Sequence, residues 1–112
     1  MTPFKQAVLD HVGKIPMGKL VYFGQISKAV GGTAQTVGWV LSGLSVEESR
    51  NIPWHRVVAK NGYISSLKLG DKGHLQKMLL VDEGFEVVED RVDIKRLLWN
   101  TDEQDESIQS LF

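Results

Sequence analysis

The stretch that most constrains the fold is residues 51–59, which reads Asn-Ile-Pro-Trp-His-Arg-Val-Val-Ala. Pro53 fixes its own φ angle and pushes Ile52 into an extended conformation. Three consecutive side chains of very different chemistry follow: an indole, an imidazole and a guanidinium. Branched residues then lead to the turn sequence Lys-Asn-Gly-Tyr at residues 60–63, which is typical of a hairpin. The pattern predicts a rigid segment that holds the three side chains at the mouth of a strand.

The same three side chains also fit a purely structural interpretation. A Trp beside a Pro commonly packs in a core, a His is often a hydrogen-bonded core residue, and an Arg often forms a surface ion pair. Residue types alone therefore leave both interpretations of Trp54, His55 and Arg56 open.

Two amphipathic segments separated by glycines form the second strong pattern. Phe23 or Gly24 can open a helix that ends at Gly31-Gly32, and Thr33 can cap the next helix. The apolar residues of that next helix follow the i, i+3, i+4, i+7 rule, at Val37, Val40, Leu41 and Leu44. Helix, glycine turn and helix are together typical of a helix-turn-helix. A plain three-helix packing unit with a polar outer face fits the pattern equally well.

The second helix of this pair would be the recognition helix of a helix-turn-helix. Its outer face carries small or uncharged residues, namely Gln35, Thr36, Gly38, Trp39 and Ser42. Such a face permits close approach to a DNA backbone or to a narrow groove.

The remaining segments complete a mainly helical prediction. Thr2 can cap a first helix, residues 45–51 are predicted to be a polar link, and residues 71–83 a fourth helix. The packed side of that fourth helix is predicted to carry Leu75, Met78, Leu79 and Asp82. Short strands are predicted on either side of Asp90-Arg91. The predicted fold class is a mainly α, winged-helix-like helix-turn-helix domain with a small β-hairpin at residues 57–64.

Charge is distributed unevenly along the chain. All 13 Lys and Arg residues lie in residues 1–100, whereas residues 101–112 carry four acidic residues and no basic one. Residues 1–100 are therefore predicted to form one mildly basic domain, and residues 101–112 an acidic, disordered tail. A mildly basic domain is compatible with DNA binding but does not require it.

The composition also excludes several classes of function. The chain has no cysteine, which excludes disulfides, thiolate metal sites and a cysteine nucleophile. The three histidines, His11, His55 and His74, are too widely spaced for a metal motif, so neither a metal nor a cofactor is expected. No apolar run approaches a membrane span, so a cytoplasmic protein without a membrane partner is expected.

The segment Pro53-Trp54-His55-Arg56-Val57-Val58 resembles the active-site motif Pro-Cys-His-Arg-Val of the O6-alkylguanine-DNA alkyltransferases. Trp54 stands where the reactive Cys would be, and that substitution is the hallmark of the alkyltransferase-like proteins, non-enzymatic relatives that sense alkylated guanine in DNA. The resemblance extends in order over roughly residues 3–100. It includes Ile15-Pro16-Met17-Gly18, Phe23-Gly24-Gln25-Ile26, Val37-Gly38, Gly62 with Ile64-Ser65, and Glu83-Gly84.

The resemblance implies a binding protein for O6-alkylguanine in double-stranded DNA, acting as a monomer from the minor groove. The alkylated base would be flipped into a pocket, and nucleotide-excision repair would follow. The implied pocket residues are Trp54, His55, Ser65 and Glu83, with Pro53 and Arg56 holding the local fold. The implied DNA contacts are Tyr22, Phe23, Gln35, Thr36, Gly38 and Trp39. No alkyl transfer is expected, because an indole cannot replace a thiolate as the acceptor.

Three positions depart from the family pattern. Phe23 stands where the family has a Tyr, although Tyr22 directly precedes it. Gln35 stands where the family has an intercalating Arg, and Trp39 occupies a position usually held by a smaller residue. These changes predict weaker DNA binding than that of typical relatives, with a shallower dependence on salt.

Three other functions are compatible with the sequence. One is a helix-turn-helix regulator that reads intact DNA, usually as a dimer on paired half-sites. A second is an interaction module with a decayed DNA site, and a third is a hydrolytic or transferase activity that uses His55 and Glu83. The last five residues, 108–112, faintly resemble the Gln-Leu-Ser-Leu-Phe peptide that binds bacterial sliding clamps, which implies a clamp as a further partner.

Overall fold

In the computed structural model the described residues are 3–64, 70–93 and 98–99. Within them lie five α-helices, one 3₁₀ turn and two short strands. The helices are α1 (Pro3–Val12), α2 (Phe23–Val30), α3 (Ala34–Ser42), α4 (Val46–Asn51) and α5 (Asp71–Asp82). The 3₁₀ turn is Trp54–Arg56, and the strands are β1 (Val21–Tyr22) and β2 (Val57–Val58). The predicted mainly helical fold class is confirmed, and none of these helices is long and apolar enough to cross a membrane.

The turn between α2 and α3 depends on glycine. Gly32 has φ +77°, and a Cβ there would lie 2.7 Å from Thr36 Oγ1 and 2.8 Å from Phe4 Cε1. Thr33 then caps α3 as predicted, because its hydroxyl accepts a hydrogen bond from the Thr36 N–H at 3.1 Å. The outer face of α3 exposes Gln35, and Trp39 is 63% exposed. The predicted helix-turn-helix outline is thus present.

Two apolar clusters lie on either side of the small sheet. The larger joins α1, α2 and α3 through Val8, Leu9, Val12, Ile26, Val37 and Leu41, together with Val21, Trp54 and Val57. The smaller contains Leu20, Val58, Ile64, Leu80, Phe85 and Val92. Since adjacent strand residues point to opposite faces, Val57 enters one cluster and Val58 the other. The strand that follows the Trp-His-Arg segment is therefore fixed from both sides.

Strand pairing differs from a simple hairpin. Strand β2 pairs in parallel with β1, with Val57 opposite Val21. The predicted turn is present, because the Ala59 N–H donates to the Tyr63 carbonyl at 3.0 Å, but the chain after it bridges to Arg91. Gly62 permits this arrangement: its φ is +83°, and a Cβ there would lie 2.1 Å from the Val92 carbonyl oxygen.

The predicted polar link at residues 45–51 was wrong, since it contains α4. The Ser45 hydroxyl accepts from the Glu48 N–H at 3.1 Å, and the Glu48 carboxylate accepts from the Ser45 N–H at 3.0 Å. This reciprocal capping box begins a helix of only six residues, too short to show an apolar period.

The predicted packed side of α5 was partly wrong: Leu79 packs against the larger apolar cluster, but Leu75, Met78 and Asp82 are exposed. The buried residues of the helix are Gly73, Gln76 and Leu80, whereas Leu75 is 46% and Met78 is 64% exposed. The physical reason is Gln76, whose amide donates to two backbone carbonyls and so brings a polar residue to the centre of the buried side. An apolar pattern cannot predict a buried glutamine.

The segment after α5 forms a tight turn rather than two regular strands. Glu89 and Asp90 have φ +51° and +62°, and Val88 and Arg91 exchange two backbone hydrogen bonds of 2.9 and 3.0 Å. Pairing in residues 85–93 consists of single bridges, and Ile94 lies outside the described residues. The predictions for Thr2, Ser65 and the tail at 101–112 also fall outside them.

Candidate functional site

The Trp-His-Arg segment is held by its own backbone and by α5. Ile52 is extended, with φ −111° and ψ 125°, as Pro53 predicts. The Arg56 N–H donates to the Pro53 carbonyl at 3.1 Å, which closes the 3₁₀ turn. The Gln76 amide donates to the carbonyls of His55 at 3.0 Å and Val57 at 2.9 Å. The segment is therefore rigid at both of its ends.

Glu83, at the end of α5, brings three segments together. Arg56 Nε lies 3.0 Å from each oxygen of its carboxylate, and His55 Nε2 contacts Oε2. The Gly18 N–H donates to Oε1 at 3.3 Å, and Arg56 Nη1 donates to the Ile15 carbonyl at 2.7 Å. The side chains of His55, Arg56 and Glu83 are only 10–13% exposed. These contacts of the guanidinium are internal to the protein, so Arg56 ties the segment to the turn that follows α1.

The Glu83 carboxylate is ionised at neutral pH, because its pKa lies below the usual value. Burial is the largest influence on its pKa and acts to raise it. The hydrogen bonds from His55, Arg56 and the Gly18 N–H together outweigh burial, so the pKa lies below its usual value. Glu83 therefore acts as a fixed anion that orients its partners.

The lowered pKa of Glu83 predicts a loss of stability in acid. Since the unfolded chain protonates at a higher pH than the folded protein, the contribution of Glu83 is complete above a pH of about 4.3. It is lost as the pH falls through the folded-state pKa. Urea unfolding between neutral pH and pH 3 measures this dependence, with Glu83→Gln as the control that cannot titrate. Equal pH dependence in the two proteins would contradict the assignment.

Trp54 forms part of the core and is also covered from outside. Its side chain is 5% exposed and packs in the larger apolar cluster. The ammonium of Lys72 lies 5.2 Å from the ring centroid, and the His55 ring meets the indole edge-on at 6.4 Å. Lys72 Nζ also donates to the Leu41 carbonyl at 3.0 Å, and burial lowers the pKa of Lys72. The ring is therefore enclosed by the core and by the Lys72 ammonium that lies over it.

An open cavity of about 770 Å³ lies beside the segment. Helices α4 and α5 form its walls, with the end of α1 at one side. Its lining includes Val46, Ser49, Arg50, Asn51, Leu75 and Leu79, as well as residues 52–56 and Gly13. Two of the four predicted pocket residues, Trp54 and His55, line this cavity, whereas Glu83 is not among its lining residues. Ser65, the fourth, lies outside the described residues.

A second groove, of about 400 Å³, lies between the starts of α2 and α3 and the turn after β2. It is lined by Tyr22 and Phe23, two of the predicted DNA contacts, and by Lys28 and Lys60. The sequence pattern did not single out either lysine, because only the fold brings residues so far apart in the chain to one groove. This groove combines aromatic rings with positive charge, a combination that is common in proteins that bind single-stranded nucleic acid.

The remaining predicted DNA contacts lie on α3. Gln35 and Trp39 point outward, whereas the Thr36 hydroxyl is already used in the cap, where it accepts from the Thr33 N–H at 2.9 Å. Gly38 is partly buried, and a Cβ there would lie 3.9 Å from Phe23 Cε1. Of these four residues of α3, Gln35 and Trp39 are therefore the ones whose side chains can contact another molecule.

The segment and Glu83 together supply an indole ring and an imidazole–carboxylate pair. The indole N–H of Trp54 donates a hydrogen bond but does not ionise near neutral pH. His55 and Glu83 form an imidazole–carboxylate pair of the kind that activates nucleophiles, yet the chain contains no thiol for it to activate.

Comparison with known proteins identifies the class to which this fold and segment belong. Residues 3–85 match the family model described as 6-O-methylguanine DNA methyltransferase, DNA binding domain. The chain therefore belongs to this family.

Within the family, the chain is similar to alkyltransferase-like proteins, as its sequence predicted. It is 36% identical over 89 residues to alkyltransferase-like protein 1 of Schizosaccharomyces pombe, covering 78% of this chain and 81% of that protein. It is 36% identical over 100 residues to the DNA base-flipping protein of Escherichia coli, covering 87% of this chain and 74% of that protein. The crystal structure of S. pombe Atl1 in complex with damaged DNA containing O6-carboxymethylguanine superposes with a TM-score of 0.80, at 30% identity over 88% of this chain and 96% of that one.

Proposed function

We propose that this protein binds duplex DNA containing O6-alkylguanine, flips the alkylated base out of the helix, and leaves its alkyl group in place. The observation that carries the proposal is a tryptophan, Trp54, directly before a largely buried histidine–arginine–glutamate network. Trp54, His55, Glu83 and Ser65 would line the lesion pocket, and Pro53 and Arg56 would hold it.

The free-energy cost of extruding a base is similar in size to the gain from its contact with an aromatic side chain. Extruding a base costs a few kcal/mol, and contact between a base and an aromatic side chain contributes about 1–3 kcal/mol. An alkylated guanine pairs less well than guanine, so less free energy is needed to extrude it. A fixed aromatic wall can therefore favour the lesion without any covalent step.

The DNA backbone would lie across the groove with Lys28 and Lys60 and against the outer face of α3. Tyr22 and Phe23 would support the displaced nucleotide, while Gln35 and Trp39 would approach the minor groove, with Thr36 and Gly38 beside them. The two lysines supply the phosphate contacts that dominate affinity for DNA.

Repair would follow by excision. Because the complex leaves the alkyl group on the base, another activity must remove the lesion, and the nucleotide-excision machinery is the class of partner that excises intact lesions. A monomer is sufficient for this role, since one lesion presents one binding site.

A competition titration tests the proposal. One short duplex carries O6-methylguanine and a matched duplex carries guanine, and both are titrated at one salt concentration with wild type and Trp54→Phe. We expect wild type to prefer the lesion and Trp54→Phe to lose part of that preference while remaining folded. Equal binding of both duplexes would favour a regulator of intact DNA, and binding of neither would indicate a decayed DNA surface.

Replacing Gln35 by Arg is expected to tighten binding to both duplexes. An added cation on the exposed face of α3 gives one more phosphate or groove contact, which raises affinity and steepens the salt dependence by about one unit. Titrations at three salt concentrations measure both effects, with Val88→Arg, at a 59% exposed position in the turn after α5, as the control for added charge. Unchanged affinity and slope in Gln35→Arg would contradict the placement of Gln35 on the DNA.

A further inference from the structure

Lys72 covers the outer face of the Trp54 ring. It stands in the first turn of α5, and its nitrogen is 5.2 Å from the ring centroid. The bond from Nζ to the Leu41 carbonyl, 3.0 Å long, holds it between α5 and the end of α3. Two contacts, one with the indole ring and one with the Leu41 carbonyl, therefore hold the Lys72 ammonium in place.

The ammonium of Lys72 has no anionic partner among residues 3–64, 70–93 and 98–99. Lys5 and Lys77, by contrast, form ion pairs there with Glu48 and Asp90, each at 3.2 Å. An ammonium has three N–H donors, and the Leu41 carbonyl takes one of them. Burial without a carboxylate also lowers the pKa of Lys72, so an anion at this place would relieve a cost that the folded protein carries.

The proposed function brings the O6 substituent to this place. If a flipped O6-alkylguanine enters the pocket, its substituent must point at residue 54, because that is the position from which an alkyl acceptor would act. Trp54 is 5% exposed and Lys72 Nζ lies over its ring, so a substituent that reaches the ring from this side must meet or displace the ammonium.

We infer that Lys72 sets the specificity of the pocket for the O6 substituent, favouring substituents that carry a negative charge, such as carboxymethyl, over neutral ones of similar size. The inference rests on the proposed function. Two N–H donors of the ammonium would meet the carboxylate in charge-assisted hydrogen bonds, while the indole contacts the methylene group. A neutral hydroxyethyl group would fit the same space but gain only ordinary hydrogen bonds.

The test compares wild type and three variants of the full chain on three duplexes. The duplexes carry O6-carboxymethylguanine, O6-hydroxyethylguanine or guanine, and affinities are measured at one salt concentration and neutral pH. Lys72→Met removes the charge but keeps the stem, and Lys72→Arg keeps the charge. Lys77→Met is the matched control, because it removes one positive charge from the same helix at an exposed ion pair.

We expect Lys72→Met to reduce the ratio of carboxymethyl to hydroxyethyl affinity by roughly tenfold or more, the usual effect of a hydrogen bond to a charged group. Lys72→Arg should retain most of the ratio, and Lys77→Met all of it. Thermal unfolding of each variant shows whether the fold is kept, and the ratio is unaffected by any uniform loss of active protein.

Other results would overturn the inference in distinguishable ways. A ratio unchanged in Lys72→Met, with both lesions still preferred over guanine, would overturn the role of Lys72 alone. An equal loss on all three duplexes would make Lys72 a phosphate contact instead. If wild type binds neither lesion better than guanine, the proposed function fails and the inference fails with it.

Discussion

Replacing Glu83 by Ala is expected to lower the free energy of unfolding by about 3–5 kcal/mol, because it leaves the largely buried Arg56 guanidinium and His55 ring without their partner. Arg56 and His55 both lie against the carboxylate with side chains only 13% exposed, so water has little access to take its place. The Gly18 N–H also loses its acceptor. For a domain of this size, the midpoint of thermal unfolding should fall by at least about 12 °C.

The matched control is Glu86→Ala, an exposed glutamate three residues further along the chain. Exposed substitutions usually change the free energy of unfolding by less than about 0.5 kcal/mol. Glu83→Gln should fall between the two variants, because an amide keeps the shape and accepts some of the hydrogen bonds. If Glu83→Ala were as stable as Glu86→Ala, the network would not hold the segment together.

Replacing Trp54 by Ala is also expected to lower the free energy of unfolding by about 3–5 kcal/mol, because loss of a buried indole leaves a cavity that the core cannot fill. Trp54 is 5% exposed and contacts the larger apolar cluster, so its ring contributes to the packing of α1 and α3 as well as to any pocket. Urea unfolding measures the loss. The same variant should also lose its preference for the lesion. Because the variant is destabilised, this loss does not by itself separate recognition from folding.

Trp39→Ala is the control for the Trp54 variants. It removes an equal ring from a position that is 63% exposed, so the free energy of unfolding should change little. Trp54→Phe should keep most of the stability because it fills most of the space, and it therefore separates recognition from folding. Equal losses in Trp54→Ala and Trp39→Ala would show that Trp54 is not a core residue.

Features encoded locally could be predicted from the sequence. The glycine turn before Thr33 and the extended residue before Pro53 follow from backbone restrictions that act within a few residues. The partner of β2 could not be predicted in this way. The turn at residues 59–63 is visible in the sequence, but whether Val57 pairs forward with the chain after the turn or back with Val21 is decided by burial on both faces of the sheet.

Only part of the candidate site could likewise be predicted from the sequence. His55 and Glu83 were predicted together from a family resemblance, and the structure brings them into contact although 28 residues separate them. Nothing in the sequence indicated that Lys72 and Gln76 would contact the Trp-His-Arg segment. Each is an ordinary polar residue in a helical segment, and its partner is a carbonyl or a ring from another part of the chain. Their roles depend on the rotation of α5, which apolar spacing did not predict.

The fate of the alkyl group tests the central claim most directly. Protein in excess is mixed with a duplex containing O6-methylguanine, formation of the complex is verified, and the mass of the protein and the base composition of the recovered DNA are then measured. Recognition without chemistry predicts a complex from which O6-methylguanine is recovered in full, with the protein mass unchanged. Loss of the methyl group from the DNA, with a matching gain in protein mass, would contradict the account, and so would the absence of a complex.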